Sequence, residues 1–276
     1  MKVFKIIMLL ILIGIITAVG AVFYAFFVEP HKVTTENVSI SDTEIKKDLT
    51  IAVFADTHFT FDTYTMEDFN KAVAAIKATD PDIIVFLGDL YDNYDKYHDN
   101  ENQVISALSS LHASIGKYAV FGNHDYGGGA ENHYASIMES GGFRVLKNSS
   151  VSLSSYNVNL VGIDDCLIGY GKPSVANNSP SSAYNIVICH EPDVVDKLSA
   201  SPVDLMISGH THGGQVELPF YENKFLPSLG KEYISGKYSI DNSAKTTLYV
   251  NRGLGTTHME VRFMSVPEVT CIKLSK

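Results

Sequence analysis

Cysteine is scarce in this 276-residue chain: Cys166, Cys189 and Cys271 are widely spaced, odd in number and form no C-x-x-C pair. That argues against a disulfide framework or a cysteine zinc cluster and leaves them as small apolar residues. Basic charge is scarce too, with 21 Lys and Arg against 31 Asp and Glu. Two of the basic residues, Lys2 and Lys5, precede a long apolar run, so the chain beyond that run carries 19 basic against 31 acidic residues, or −12. A surface that acidic is a poor platform for nucleic acid or anionic headgroups, which are bound by clustered Lys and Arg.

Charge is missing altogether from Ile6 to Val28, a run of 23 residues. A hydrocarbon core takes about 20 helical residues, so residues 6–28 read as a transmembrane anchor. Lys2 and Lys5 before it and Glu29 after it put residues 1–5 in the cytoplasm and the remainder outside by the positive-inside bias. The expectation is a single-pass protein of the cell membrane with an extracytoplasmic domain. Ala18 and Gly20 also form the small-x-small pattern of a signal-peptide cleavage site, which is the competing reading. The apolar run continues past Gly20 with Phe23, Tyr24, Phe26 and Phe27, residues suited to a membrane interface, and this favours an uncleaved anchor. Residues 29–48 mix Thr, Ser, Asn and charge without clear periodicity and read as a tether or an irregular first edge. Residues 49–276 then form one large domain without internal repeats.

Within that domain, short β-branched runs alternate with amphipathic stretches. Strands are expected at 49–56, 83–89 and 117–125, the last running into a loop, and helices at 66–78 and 104–115. The first helix carries Phe69, Ala72, Val73 and Ile76 on one face and stops at Asp80-Pro81. Strand signals recur at 158–164, 184–190, 203–210, 246–251 and 268–274 with fewer helices between them. The imbalance predicts a layered α/β/β/α sandwich of two mixed sheets.

The strands end in residues that like metals: Asp56 and His58, Asp89, Asn123, His190, and His210 with His212. Ligands of α/β sheets bind beyond the carboxyl ends of strands, so these seven are expected to converge. Their mixture of carboxylate, amide and imidazole suits manganese, iron or zinc. Seven ligands exceed one such ion; two divalent metal ions about 3.5–4 Å apart, sharing a carboxylate, would use them all. Gly88, Gly122 and Gly209 are expected to let the chain turn at the strand ends. If the strand stays extended, His210 and His212 point the same way and reach adjacent ions.

The blocks Asp56-x-His58, Gly88-Asp89-x-x-Asp92, Gly122-Asn123-His124-Asp125, the lone His190 and Gly209-His210-Thr211-His212-Gly213-Gly214-Gln215 resemble, in order, the signature of calcineurin-like metallophosphoesterases. His190-Glu191-Pro192-Asp193 and the late segment Asn251 to Gly255 are similar to the bacterial membrane-associated phosphodiesterase branch, which carries one N-terminal helix. The resemblance spans residues 49–276. It implies that Asp56, His58 and His212 hold one metal and Asn123, His190 and His210 the other, with Asp89 bridging. It further implies that His124 stands over the substrate as general acid or transition-state stabiliser, that Asp125 orients its ring, and that Asp92 is structural or fixes its loop. The activity implied is attack of a metal-bound hydroxide on the phosphorus of a phosphodiester or phosphomonoester, on a small or lipid-linked substrate.

Two other functions are weighed. A non-catalytic protein-binding scaffold on the same fold would have lost ligands, and all seven are present. A nucleic-acid phosphodiesterase is disfavoured by the acidic charge, so nucleic acid is not expected as a partner. The remaining histidines, His31, His98, His112, His133 and His258, read as surface or packing residues. The loop carrying Tyr91, Tyr94, Tyr97 and His98 is close enough in sequence to touch substrate, and Tyr126 with Gly127 to Gly129 reads as a flexible rim.

Overall fold

Strand β2 (Leu49–Phe54) explains the layering. Alternate side chains of a strand face opposite ways, and in β2 both sets are apolar. Ala52 and Phe54 pack with Phe69 and Ile76 on one side. Ile51 and Val53 pack on the other with Ile186 and Ile207, which belong to a second sheet. A strand buried on both faces must lie between two covering layers.

The computed structural model describes residues 2–60, 62–218 and 226–276. Two six-stranded sheets face each other. The first is built from β1 (Thr34–Ser41), β12 (Glu268–Ser275), β2, β3 (Ile83–Phe86), β4 (Gly116–Ala119) and β5 (Arg144–Val145), in that spatial order. The second runs β10 (Gly236–Ser239), β11 (Thr247–Val250), β9 (Leu205–Ser208), β8 (Tyr184–Ile188), β7 (Val158–Gly162) and β6 (Ser149–Leu153). Strands β2 to β5 are parallel, as are β7, β8, β9 and β11, while β12 is antiparallel to β2 and the edge strands β6 and β10 are antiparallel to their neighbours. The carboxyl ends of the central parallel strands in both sheets therefore come to one rim.

The outer face of the first sheet is covered by α2 (Met66–Ala78), α4 (Glu101–Ser109) and α6 (Tyr134–Ser140) through Phe69, Val104, Leu108 and Ile137. Helix α2 has the expected bounds and a reciprocal cap between Thr65 and Asp68, an arrangement worth about 1 kcal/mol. Over the second sheet, Pro173–Asn178 and Pro192–Leu198 form short 3-10 turns, and Ala176, Val194, Val195 and Leu198 fill the contact. The sandwich is thus α/β/β/α in layering, with its fourth layer made of turns. Other expected bounds shift: the helix expected at 104–115 is α4, and the strand expected at 117–125 stops at Ala119, after which Asn123–Gly127 forms a short helix, α5.

The N-terminal apolar segment is one helix, α1 (Lys2–Phe27), exposed almost throughout and long and apolar enough to cross a membrane. Residues 29–48 differ from the expected tether. Strand β1 pairs in parallel with all eight residues of β12, and its side chains alternate between half-buried and exposed. Glu29 is buried and accepts the backbone N–H of Ser265 at 2.7 Å, while the carbonyl of Ala25, in the last turn of α1, accepts the N–H of Arg262 at 3.0 Å. The helix leaves the domain at a fixed point.

Candidate metal centre

All seven expected ligands lie on the shared rim. Asp56 and His58 follow β2, Asp89 follows β3, Asn123 and His124 open α5 after β4, His190 follows β8, and His210 and His212 follow β9. The strands end short of these residues because the backbone turns left-handed there: Asp56, His58, Asp89, His210 and His212 have φ of 52°, 41°, 60°, 75° and 53°. Each such non-glycine residue costs on the order of 1 kcal/mol, strain that concentrates at functional sites. His210 and His212 consequently do not share the direction of an extended strand; each turns to a different partner set.

Two clusters result: Asp56 with His58 and His212, and Asp89 with His190 and His210. His58 Nε2 and His212 Nε2 face each other at 3.1 Å, and His190 Nε2 faces His210 Nδ1 at 3.0 Å. Between the pairs, Asp89 Oδ2 is 3.5 Å from His58 Nε2 and 3.2 Å from His190 Nε2. The glycines act mainly through close approach. A Cβ on Gly209 would meet Asp56 Oδ2 at 2.6 Å, and one on Gly122 would collide with the Asp89 carboxylate; of the three, Gly88 is the one that needs positive φ, at 97°.

The donor set fits cations on geometric grounds. His190 Nδ1 donates to the Leu87 carbonyl at 2.8 Å and His210 Nε2 to that of Ser228 at 2.9 Å. The remaining nitrogens therefore aim two lone pairs at one point, which only a cation or a shared proton satisfies. Asn123 Oδ1 is buried without a hydrogen-bond donor, as a ligand oxygen would be.

The buried groups also shift one another's protonation. Burial would raise the Asp89 carboxyl, but His190 and His124 hold it well below the usual range. Burial would lower His190, yet Asp89 and Asp56 raise it well above an ordinary imidazole. His210 is pushed down to about 3 by burial and the neighbouring His190. His212 is pushed well down by burial, His58 and Arg262.

His124 sits beside the clusters, its ring edge-on to His58 at 4.6 Å between centroids. Its backbone N–H donates to Asp89 Oδ1 at 2.8 Å. Its Nδ1 donates to the carbonyl of Asp92, also at 2.8 Å, and lies 3.8 Å from the Asp92 carboxylate. Burial opposes its protonation, but Asp89 and Asp92 raise its pKa overall. Asp125 does not orient the ring. Its carboxylate instead accepts the N–H groups of Asp89, Leu90 and Gly122 at 2.8, 3.0 and 2.8 Å, tying the two loops together. Adjacent residues on a helix do not face each other, so His124 and Asp125 diverge.

Two cavities meet at His124. The larger, about 800 Å³, reaches from His58, His210 and His212 to Leu218, Met259 and Val261. The smaller, about 370 Å³, is bounded by Asp92, Asn93 and Lys96. Tyr91 and Tyr94 are buried in the core, and neither they nor Tyr97 and His98 line these spaces. The rim at Tyr126 is anchored, since its hydroxyl donates to Asp164 at 2.9 Å.

Asp92, expected as a structural residue, holds the His124 ring. Sequence reasoning missed two residues. His258, expected in a surface or packing role, lines both cavities in a left-handed conformation. Arg262, fully buried, donates to the carbonyls of Gly255, Ser265 and Arg252 at 3.0, 2.9 and 2.9 Å and holds the late loops in place. A lone Arg amid Val261, Phe263 and Met264 was the available signal. The Asn251 to Gly255 segment wraps the first cluster: Leu254 and Gly255 donate to the carbonyls of Ala55 and Asp56 at 3.0 and 2.7 Å.

Comparison with known proteins agrees with this geometry. Residues 49–214 match the family described as calcineurin-like phosphoesterase. The metallophosphoesterase YkuE of Bacillus subtilis is 37% identical over 95% of this chain and 92% of its own length. The phosphodiesterase YaeI of Escherichia coli is 32% identical over 70% of each chain. UDP-2,3-diacylglucosamine pyrophosphatase LpxG of Chlamydia muridarum is 29% identical over 75% of this chain and 78% of its own. With strand-end clusters that could hold metal ions, the chain belongs to the calcineurin-like phosphoesterase family and is a metal-dependent phosphoesterase.

Proposed function

We propose that the protein hydrolyses a phosphodiester at two divalent ions, with Asp56, His58 and His212 holding one, Asn123, His190 and His210 the other, and Asp89 shared. The observation that carries this is the pair of facing histidine contacts with Asp89 Oδ2 within 3.5 Å of both. Such ions lower the pKa of water toward neutrality and neutralise phosphoryl oxygens, and manganese, iron or zinc suits the donors.

The chain's own residues supply the rest. His124, with Nδ1 committed to Asp92, has Nε2 left to give a proton to the departing oxygen. Asp92 fixes the ring, and its carboxylate also lies 3.6 Å from His58 Nδ1. Asp125 holds the Asp89 and Gly122 loops at one spacing. A diester is preferred to a monoester because YaeI is a phosphodiesterase and LpxG is a UDP-2,3-diacylglucosamine pyrophosphatase.

Helix α1 anchors the protein in the cell membrane with residues 1–5 in the cytoplasm and the catalytic domain outside. Its length, its exposure and the two preceding lysines support this. Metal analysis of the detergent-purified full chain is expected to find two divalent ions, and hydrolysis of methyl p-nitrophenyl phosphate is expected to stop on chelation and return with manganese. One ion per chain, or hydrolysis indifferent to chelator, would sink the reading.

A further inference from the structure

We propose that the substrate is an amphiphilic phosphodiester drawn from a lipid surface, with its hydrocarbon part in the larger cavity, its polar part in the smaller and its phosphorus at His124. This rests on the phosphoesterase reading and names its substrate class.

The two cavities differ in chemistry. Over the metal cluster, the larger is walled by Val216, Leu218, Leu226, Pro227, Met259 and Val261. A small polar ester offers nothing to fill such a chamber, whereas a hydrocarbon chain releases its water. The smaller is edged by Asp92, Asn93 and Lys96, groups that hydrogen-bond a polar substituent. Asn123, His124, Thr257 and His258 border both, so a phosphodiester centred there has one substituent in each.

The lip points to where the substrate comes from. Among the described residues outside α1, the exposed large apolar side chains are Leu167, Ile168, Tyr170, Leu218, Met259 and Met264. Leu167, Leu218 and Met259 line the larger cavity and Ile168 the smaller. Met264 follows Phe263, whose backbone exchanges hydrogen bonds with Gln215 and Glu217 at 2.8 and 2.9 Å. Four of these six side chains thus border the cavities, and apolar exposure gathered at one mouth marks a contact surface.

What covers that surface is given by α1. The Ala25 carbonyl in its last turn is bonded to the N–H of Arg262, and the adjacent Val261 is in the cavity wall. A helix fit to span a bilayer thus emerges beside the mouth, and the interface into which it runs is the one the lip meets. The acidic balance of the domain leaves apolar contact, not attraction to anionic lipid, as the cause of docking.

The reaction is hydrolysis. A water oxygen bonds to phosphorus, the P–O bond to one substituent breaks, and the departing oxygen takes a proton through His124, leaving a phosphomonoester and an alcohol.

The test compares hexadecyl p-nitrophenyl phosphate in phosphatidylcholine vesicles with methyl p-nitrophenyl phosphate in solution, using the full chain in the same vesicles with manganese. Both esters lose the same nitrophenol. The expected kcat/KM is at least about tenfold higher for the hexadecyl ester. Leu218→Ser with Met259→Ser is expected to lower the hexadecyl-to-methyl ratio by about tenfold, and both sites are exposed enough that folding is not at stake. Equal kcat/KM for the two esters, or a ratio unmoved by the double variant, overturns the proposal. Turnover of neither ester by protein carrying two metals overturns the hydrolytic reading itself and the inference with it.

Discussion

Both edges of the two sheets carry aspartates, half-buried at one and buried at the other, and the edges use them in opposite ways. At the amino ends of β3 and β9, Asp82 and Asp204 each accept a backbone N–H from the neighbouring strand, Thr50 at 2.9 Å and Asn185 at 2.7 Å. Neither takes a left-handed conformation. At the carboxyl ends, Asp56 and Asp89 are left-handed and face imidazole nitrogens that themselves converge in opposed pairs. The first edge is finished by the backbone; the second is left with opposed imidazole nitrogens that a cation would satisfy. A strand-end aspartate is therefore no mark of function by itself, whereas burial together with strain and opposed imidazoles is.

The largest effect that can break this contrast is expected from Asp89→Asn. Losing the one carboxylate within 3.5 Å of both histidine pairs should cut metal content below two ions per chain and take hydrolysis below detection. A variant that keeps two tightly held ions and its rate would move the shared ligand elsewhere. His124→Ala comes next, with turnover falling by about 10²–10⁴ while metal content stays unchanged. Loss of metal in that variant would make His124 a ligand instead of a proton donor.

The smallest effect belongs to the other edge. Burial first, then Glu44 and Asp42, raise Asp204 from the usual 3.8 to about 6. The folded state thus holds a proton that the unfolded chain releases, so this residue's contribution to stability falls as pH rises from about 4 to about 6 and changes no further above that. Asp204→Asn should remove that fall, by on the order of 1 kcal/mol after allowance for partial exposure, and leave hydrolysis intact. Unfolding curves at about pH 4.5 and 7.5 measure it; an unchanged pH dependence would show that Asp204 ionises normally.

How much of this was legible in the sequence tracks the same division. The ligand positions could be read because strand-end Asp and His residues lie in order along the chain, and β2, β3, β8 and β9 are apolar on both faces. The supporting roles could not. The resemblance makes Asp125 the partner of His124, but α5 turns adjacent side chains apart, and Asp92 reaches the ring from another loop. His258 and Met259 reach the cavity mouth through loops set by the buried Arg262, a long-range contact without local pattern. Strand β1 escapes notice for a similar reason: its half-buried face opens with Thr34 and Glu36 before reaching Val38 and Ile40, and its partner β12 lies at the far end of the chain.

That last pairing decides where the protein can be cut. The family match begins at Leu49, the obvious start for a soluble fragment. Such a fragment discards β1 and with it the partner of every residue of β12, leaving eight residues of bare backbone along one side of the sheet. It also discards Glu29, which holds Ser265, and Glu36, which pairs with Arg252 at 2.8 Å next to the Asn251 to Gly255 wrap. An open edge of that kind templates aggregation. A version freed of α1 keeps its shape by starting before Glu29, not at the boundary that likeness to relatives marks.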